Sequence, residues 1–103
     1  MNSLNTFDSI REWAGQRNLI DGSNPQAQTV KLMEEVGELA AGVARQNKDQ
    51  IVDSIGDAVV VLTILAAQLD ITIEACIDFA WAEIKDRKGK MVNGVFIKEG
   101  EQK

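Results

Sequence analysis

Three glutamates, Glu34, Glu35 and Glu38, stand close together in the segment KLMEEVGEL, residues 31–39. Apolar residues recur three and four apart through the same segment, which predicts a helix with one apolar stripe. Helical positions three and four apart share a face, so all three carboxylates are expected on one broad side. Like charges a turn apart repel each other, and a helix that enters a core needs a reason to keep them.

Two more carboxylates, Asp53 and Asp57, lie four apart in the next predicted helix, just before its wholly apolar half. Helices joined by a short link usually pack antiparallel, and counting from the link places Glu38 level with Asp57. The two acidic patches would then face each other, which is unfavourable unless cations neutralise them. Gly37 and Gly56 lie beside these carboxylates, and a helical glycine is often kept for close approach.

A metal site and a solvent-exposed acidic face both remain open on spacing alone. The chain has no histidine and one cysteine, which excludes the usual zinc sites and the Glu-x-x-His di-iron bundle. Oxygen ligands suit hard ions, and the absence of a calcium-hand loop favours Mg²⁺, with Mn²⁺ as an alternative. Such an ion keeps positions for phosphates, which points to a nucleotide or polyphosphate substrate. The candidate ligands are Glu34, Glu35, Glu38, Asp53 and Asp57.

Positive charge that could meet phosphates occurs in two places. Lys31 lies one turn before Glu34 and Glu35, where it either forms a plain salt bridge with Glu35 or points at the same site. The segment KDRKGK closes the fourth predicted helix, where the helix dipole alone favours cations. It holds more cations than a helix end requires, so a phosphate contact is expected from Lys85, Arg87, Lys88 and Lys90.

Composition limits the classes of protein that the chain can belong to. Its 103 residues, 45% of them hydrophobic, fit one domain, 1–103, with one core. A net charge of −5 argues against sequence-independent binding to nucleic acid or to an anionic membrane. Cys76 is the only cysteine, so no disulfide can form within the chain, and a cytoplasmic protein is expected. There is no signal-peptide pattern, and the apolar run 58–67 is too short to span a bilayer.

The predicted fold is all-α, a four-helix protomer with a short extended C-terminal tail. Asn24 and Pro25 form a typical helix start, and Thr72 is expected to cap a fourth helix that reaches residue 88. The first three helices are predicted at 6–17, 25–45 and 49–69, and the tail segment 95–97 is expected to be extended. The apolar residues exceed what such a protomer can bury, which predicts a homodimer or homotetramer.

Three blocks, KLMEEVGELA, DSIGDAVVVL and IKDRKGKMVNGVFIKE, resemble in order and spacing the MazG-like all-α nucleoside triphosphate pyrophosphohydrolases, especially the short phage-type members. The resemblance covers about residues 10–99. It implies hydrolysis of an NTP or dNTP to the monophosphate and pyrophosphate with Mg²⁺ or Mn²⁺. Glu34, Glu35 and Glu38 match the E-E-x-x-E metal-binding motif of the family, and Asp57 matches the aspartate of its E-x-x-D motif. The implied mechanism activates a water for attack, with one glutamate as base.

The sequence departs from the family pattern at two positions. Ser54 replaces the glutamate of the second motif, and the adjacent Asp53 is expected to take over part of the lost charge. Ala82 stands where relatives often carry an asparagine. The missing glutamate at Ser54 keeps a second hypothesis open, a catalytically inactive helical module that binds nucleotide or a partner protein.

The sequence gives no base specificity, although we expect a deoxynucleotide substrate. Trp13, Asn18 and Gln28 are candidates for contacting the base. The alternatives are a core tryptophan and polar residues that cap loops. The full set of candidate substrate contacts is Lys31, Lys85, Arg87, Lys88, Lys90, Asn93, Trp13 and Gln28.

Overall fold

The computed structural model describes residues 5–100 and has four helices followed by a two-stranded hairpin. The elements are α1 (Thr6–Gln16), α2 (Pro25–Ala44), α3 (Lys48–Gln68), α4 (Ile73–Ile84), β1 (Gly89–Val92) and β2 (Val95–Lys98). The all-α prediction is confirmed, and the ends of α1, α2 and α3 fall within one residue of the predicted bounds. The fourth helix ends at Ile84, a full turn before the predicted end at residue 88.

Asparagine caps the start of each of the first three helices. The side-chain oxygens of Asn5, Asn24 and Asn47 accept hydrogen bonds from the backbone N–H three residues on, at 2.8, 2.8 and 3.1 Å. Pro25 follows Asn24 at the first helical position, where its missing N–H leaves nothing unsatisfied. Each cap contributes about 1 kcal/mol and fixes where its helix begins.

The same three helices end with a residue in the left-handed conformation. These residues are Asn18 (φ 58°), Gln46 (φ 55°) and Asp70 (φ 59°). In each case the next backbone N–H donates to the carbonyl five residues earlier, at 2.9, 2.9 and 3.0 Å. This hydrogen bond is that of a Schellman motif, which satisfies helix carbonyls and turns the chain sharply. After Gln46 the chain enters the α3 cap at Asn47 directly, so α2 and α3 form a tight antiparallel hairpin.

Gly42 marks the close approach of α2 to α3. A side-chain carbon added there would lie 3.1 Å from the Cγ of Gln50 and 3.3 Å from the Cγ1 of Ile51. Gly37 and Gly56, which were expected to serve this purpose, would gain a Cβ with nothing within 4 Å. That interpretation is wrong, because both glycines lie on exposed sides of their helices.

The buried part of the first three helices is centred on α3. Val61, Ile64 and Ala66 of α3 are buried together with Ala14 of α1. Thr63 is also buried, and its hydroxyl donates to the Val59 carbonyl of the same helix at 2.7 Å. The apolar half of α3 therefore forms the core, as its composition predicts, and it positions the residues around Asp57 at the core's edge.

Among the described residues, α3 is the helix whose length and mean hydropathy of 1.7 would allow it to cross a membrane. The apolar run 58–67 was predicted to be too short to span a bilayer, and it is only part of α3, which has 21 residues. One such helix is a weak indication, because the core helix of a soluble protein passes the same test. Asp53 and Asp57 lie inside α3, and carboxylates are costly at the centre of a bilayer.

The chain divides into two compact units, one up to Ile73 and one from Glu74 onward. In the second unit no residue of α4 is buried, and Phe79 and Trp81 are 70% and 60% exposed. β1 and β2 pair antiparallel, with Gly89 opposite Lys98. The prediction of an extended segment at 95–97 is confirmed by β2, whereas its pairing with β1 was not predicted.

Candidate functional site

Glu35 is the buried member of the three glutamates on α2. Its side chain is 6% exposed, against 61% for that of Glu34. Among residues 5–100 its Oε2 atom has no hydrogen-bond partner. An ionised carboxylate out of water is strongly unfavourable unless it is paired and hydrogen-bonded. Glu35 therefore presents one oxygen that still requires a positively charged or hydrogen-donating ligand.

Lys31 contacts this group from one turn earlier on α2. Its Nζ atom lies 3.4 Å from Glu35 Oε1 and 3.7 Å from Glu34 Oε2. The pKa of Lys31 is raised, first by its hydrogen bond to Glu35 and then by the negative charges of Glu35 and Glu34. The predicted salt bridge with Glu35 is confirmed. It satisfies one oxygen of that carboxylate, and the other has no hydrogen-bond partner in the part of the chain that the structure describes.

Asp57 on α3 is a carboxylate whose pKa is affected by the negative charge of Glu35. Its pKa is raised, first by burial, then by the negative charge of Asp53, and then by that of Glu35 across the hairpin. A hydrogen bond between the Asp53 and Asp57 side chains raises it further. Carboxylates of α2 and α3 are thus close enough to repel each other, as their spacing predicts.

Glu38 lies nearer the turn than its predicted level. Gln50 Nε2 donates to the Glu38 backbone carbonyl at 2.8 Å, so Glu38 is alongside the first turns of α3. The prediction that Glu38 is level with Asp57 is therefore wrong by about one turn, and Glu35 takes that place. The left-handed residue Gln46 makes the turn more compact than counting along the sequence assumes.

The five carboxylates do not form one closed cluster. Within residues 5–100, no three Asp, Glu or Cys side chains lie close enough together to hold a metal ion as they stand. The donor chemistry nevertheless fits a hard cation, because every candidate ligand is a carboxylate oxygen and one buried oxygen of Glu35 is unpartnered. The assignment of the five residues as metal ligands remains a prediction.

Ser54, the departure from the family pattern, is 1% exposed and buried, whereas the adjacent Asp53 is exposed. The negative charge of the Asp53 carboxyl and its hydrogen bonding help to raise the pKa of Asp57, after burial. Asp53 is therefore in the right neighbourhood to supply charge beside Asp57, as expected from the sequence.

Trp13 lies between two cavities of the first unit. The cavity of about 380 Å³ is lined by Thr6, Ser9, Ile10, Trp13, Asp57 and Val60. The cavity of about 310 Å³ is lined by Trp13, Leu19, Gln28, Lys31, Val60, Val61 and Ile64. The alternative of a core tryptophan is wrong, because Trp13 is 44% exposed and the Arg17 guanidinium lies 4.6 Å from its ring centroid.

The other two candidate base contacts serve the loop before α2. Asn18 forms the left-handed turn after α1, which is the loop-capping alternative. Gln28 Nε2 donates to the Ser23 hydroxyl at 3.1 Å, and the same residue lines the 310 Å³ cavity beside Trp13 and Lys31. Gln28 is thus compatible with both interpretations, and Asn18 with the structural one.

The basic residues predicted to close the fourth helix lie beyond its end. Lys85, Arg87 and Lys88 connect α4 to β1, Lys90 lies on β1, and Asn93 begins the hairpin turn. The helix stops at Ile84 because the apolar pattern ends there, and the Arg87 N–H closes the last turn by donating to the Ile84 carbonyl at 2.9 Å. All five side chains are exposed and belong to the second unit.

The hairpin turn was missed although its signal is visible in the sequence. Val92 and Val95 flank an Asn-Gly pair, the strongest short signal for a two-residue hairpin turn. Asn93 (φ 51°) and Gly94 (φ 81°) both adopt the left-handed conformation that such a turn requires.

Comparison with known proteins gives two matches. The profile of a family described as the MazG nucleotide pyrophosphohydrolase domain matches residues 23–92, which include parts of both units. The chain is also 57% identical over 60 residues to an "Uncharacterized 18.2 kDa protein in rep-hol intergenic region" of Haemophilus phage HP1 (strain HP1c1). That match spans 58% of this chain and 37% of the relative. No solved structure matches the chain.

Proposed function

The chain belongs to the family of MazG nucleotide pyrophosphohydrolase domains, and from this premise we propose that it is a metal-dependent nucleoside triphosphate pyrophosphohydrolase. It cleaves an NTP, with a deoxynucleotide as the expected substrate, to the monophosphate and pyrophosphate. Its expected place is the cytoplasm, where it controls the nucleotide pool.

The buried carboxylate of Glu35 is the observation that carries this proposal. A structural salt bridge would be complete with Lys31, but Glu35 Oε2 has no partner among the described residues and Asp57 lies across the hairpin. Repulsion between carboxylates at a core's edge destabilises the fold unless a cation offsets it. A site for a cation explains why the sequence keeps these residues together.

The residues proposed to hold Mg²⁺ or Mn²⁺ are Glu34, Glu35, Glu38 and Asp57, with Asp53 adding charge. When bound, the metal supplies positive charge to the phosphates and makes a water acidic enough to attack at neutral pH. Glu35 and Asp57 are fixed by the hairpin and orient the site from its buried side. One of the glutamates accepts the proton of the attacking water, as general-base catalysis requires.

Recognition of the rest of the nucleotide is assigned to two groups of residues, one for the base and one for the phosphates. The half-exposed indole of Trp13 offers a flat apolar surface for a base, with Gln28 beside it in the 310 Å³ cavity. Charged side chains that suit phosphate are Lys31, Lys85, Arg87, Lys88 and Lys90, and Asn93 adds an amide.

The protein is also proposed to act as a homodimer or homotetramer. Along α4, Ile77, Phe79 and Trp81 expose 63%, 70% and 60% of their surface. Ile77 and Trp81 are four apart and share one face of α4, whereas Phe79 lies on the opposite side, so the helix exposes apolar side chains on two faces. Exposed apolar surface of this kind marks protein–protein interfaces in soluble proteins. A second copy of the chain would bury them.

The decisive experiment incubates the purified protein with each of the eight common nucleotides and Mg²⁺ or Mn²⁺, and separates the products. The monophosphate together with pyrophosphate supports the proposal. The diphosphate together with free phosphate would contradict the cleavage position. Nucleotide binding without turnover under every condition would favour the inactive nucleotide-binding module instead.

A further inference from the structure

From the contacts of Lys31 we infer that its ammonium group is a resident counter-ion of the acidic site, displaced when a divalent cation binds and released toward the cavity beside Trp13. The inference rests on the proposed function, since it concerns the same site. It adds that Lys31 competes with the metal ion for the same carboxylates. Displacement of its ammonium group then links metal binding to nucleotide binding.

The first step is the position of the ammonium group. Lys31 Nζ lies within 4 Å of carboxylate oxygens on both Glu34 and Glu35, at 3.7 and 3.4 Å. These are two of the residues proposed to hold the metal. The group stands where positive charge is needed, and it holds Glu35 Oε1 while Oε2 is left unpartnered among residues 5–100. A divalent cation that binds Glu35 therefore competes with Lys31 for the same carboxylate.

The second step is the ease of displacement. The Lys31 side chain is 54% exposed, whereas that of Glu35 is 6% exposed. The lysine has a flexible stem and a strongly hydrated head, so it can leave the ion pair without breaking the core. A divalent ion on the same carboxylate repels the ammonium group and replaces one positive charge by two. The movable partner is the lysine, and the fixed one is the glutamate.

The third step is the place that the released group can occupy. Lys31 lines the 310 Å³ cavity that Trp13 and Gln28 also line. An ammonium group in that cavity suits a ligand that carries phosphate next to an aromatic base. Loading the metal thus makes a cation available to the nucleotide. By linkage, the two ligands then strengthen each other's binding.

Titration calorimetry on the full chain without nucleotide tests the first half of the inference. Lys31→Met should bind Mn²⁺ at least about fivefold more tightly than the unmodified protein, because the competitor is gone. Lys31→Gln keeps a hydrogen-bond donor but no charge, and it should also bind Mn²⁺ more tightly than the unmodified protein. This variant replaces Lys31→Met in the test if Lys31→Met folds poorly. Lys48→Met is the matched control, since it removes the same charge from an exposed position at the start of α3.

The second half is tested with imidodiphosphate, a non-hydrolysable analogue of pyrophosphate, at saturating Mn²⁺. Its affinity should fall about fivefold in Lys31→Met and stay unchanged in Lys48→Met. Opposite changes for metal and anion are the signature of a displaced counter-ion. An ammonium group that stays on the glutamates would not contact the anion, so its removal would leave imidodiphosphate binding unchanged even if Mn²⁺ binding became tighter.

Failure of this inference can be told apart from failure of the proposed function. Unchanged or weaker Mn²⁺ binding by both Lys31 variants, in a protein that hydrolyses nucleotide, overturns the counter-ion role alone. An unmodified chain that binds no Mn²⁺ overturns both proposals. Tighter Mn²⁺ binding by the variants, together with no hydrolysis by the unmodified chain, supports the counter-ion role and contradicts the enzyme.

Discussion

The α2–α3 hairpin and the C-terminal unit use their apolar residues in opposite ways. In α3 the apolar half is the core of the first unit, and buried Val61 and Ile64 position Asp57 at its edge. In α4, an equally apolar sequence leaves no residue buried, and the basic side chains follow on an exposed connection and hairpin. The comparison separates an acidic half, the carboxylates that the packed α2–α3 hairpin holds around Asp57, from a C-terminal unit whose apolar and basic side chains are exposed.

Replacing Glu35 by Gln is the most severe way to test the acidic half. Loss of a buried ligand or base should lower turnover by about a thousandfold, within the range that single catalytic carboxylates contribute. Initial rates of pyrophosphate release measure this, with Glu12→Gln on the exposed side of α1 as the control. The metal-free variant should melt no lower than the unmodified protein, because a buried charge has been removed. Full activity of the Glu35→Gln variant would show that Glu35 is neither a metal ligand nor the base.

Phe79→Glu tests the other side of the comparison. If α4 packs against a second copy, a charge at this 70% exposed aromatic position should weaken assembly by about a hundredfold, as expected for a central interface residue. Sedimentation at micromolar concentration measures the change, and Glu83→Gln on the same helix is the control. A monomeric unmodified protein at that concentration would show that α4 has no such partner.

Asp53→Asn and Ser54→Ala test adjacent positions within the acidic half. Because the Asp53 carboxyl contacts Asp57, its loss should raise the Mg²⁺ requirement or cut turnover at least about tenfold. Ser54→Ala should be nearly silent, since a neutral hydroxyl adds no charge for the metal. Rates measured against Mg²⁺ concentration distinguish the two. Full activity of Asp53→Asn at low Mg²⁺ would make Asp53 a solvated charge only.

Ser54→Glu restores the residue that the family motif has at this position. The structure changes the expectation for it, because Ser54 is 1% exposed and a longer charged side chain needs room between the helices. The metal-free variant should therefore melt below the unmodified protein. Added Mg²⁺ should recover more of the melting temperature in the variant than in the unmodified protein, if the new carboxylate reaches the metal. Equal recovery in both proteins would show that it does not.

The smallest expected effect concerns the pH dependence of the metal-free protein. The pKa of Asp57 is raised above its ordinary value of 3.8, so its contribution to stability is present below that value and is lost as pH rises through the folded pKa. Asp57→Asn should therefore melt at a higher temperature than the unmodified protein at neutral pH, and the gap should close toward acid. Melting curves in a metal chelator measure this, with Asp78→Asn at an exposed position of α4 as the control. A gap independent of pH would contradict the cause assigned here.

Much of the fold could be predicted because its signals are local. Asparagine before proline marks the start of α2, and the apolar period marks its length, so the bounds came out within one residue. Which carboxylates of α2 and α3 lie opposite each other depends on the geometry of the turn that joins the two helices. That turn has a left-handed Gln46 in place of the usual glycine, which carries no clear signal in the sequence. Sequence alone therefore predicted that the two acidic patches face each other, but paired Asp57 with Glu38 instead of Glu35.

The candidate ligands were predicted from residue type, whereas the burial of each one could not be predicted from the sequence. Glu34 and Glu35 are neighbours of equal chemistry, and only the packing of α3 makes one exposed and the other buried. The sequence left a base contact and a core position both open for Trp13 for a similar reason, because it does not tell whether an apolar face is covered. Which oxygen stays unpartnered is a property of the packed hairpin.

Asparagine at the starts of the first three helices makes these helix caps insensitive to acid in a way that aspartate would not be. The amide oxygens of Asn5, Asn24 and Asn47 keep accepting their hydrogen bonds when carboxylates are protonated. Lowering the pH can therefore neutralise the charges of the α2–α3 hairpin while the caps of α1, α2 and α3 keep their hydrogen bonds. The protein keeps its titrating chemistry apart from the hydrogen bonds that set its helical register, so a site emptied of charge by acid can regain it on the same framework.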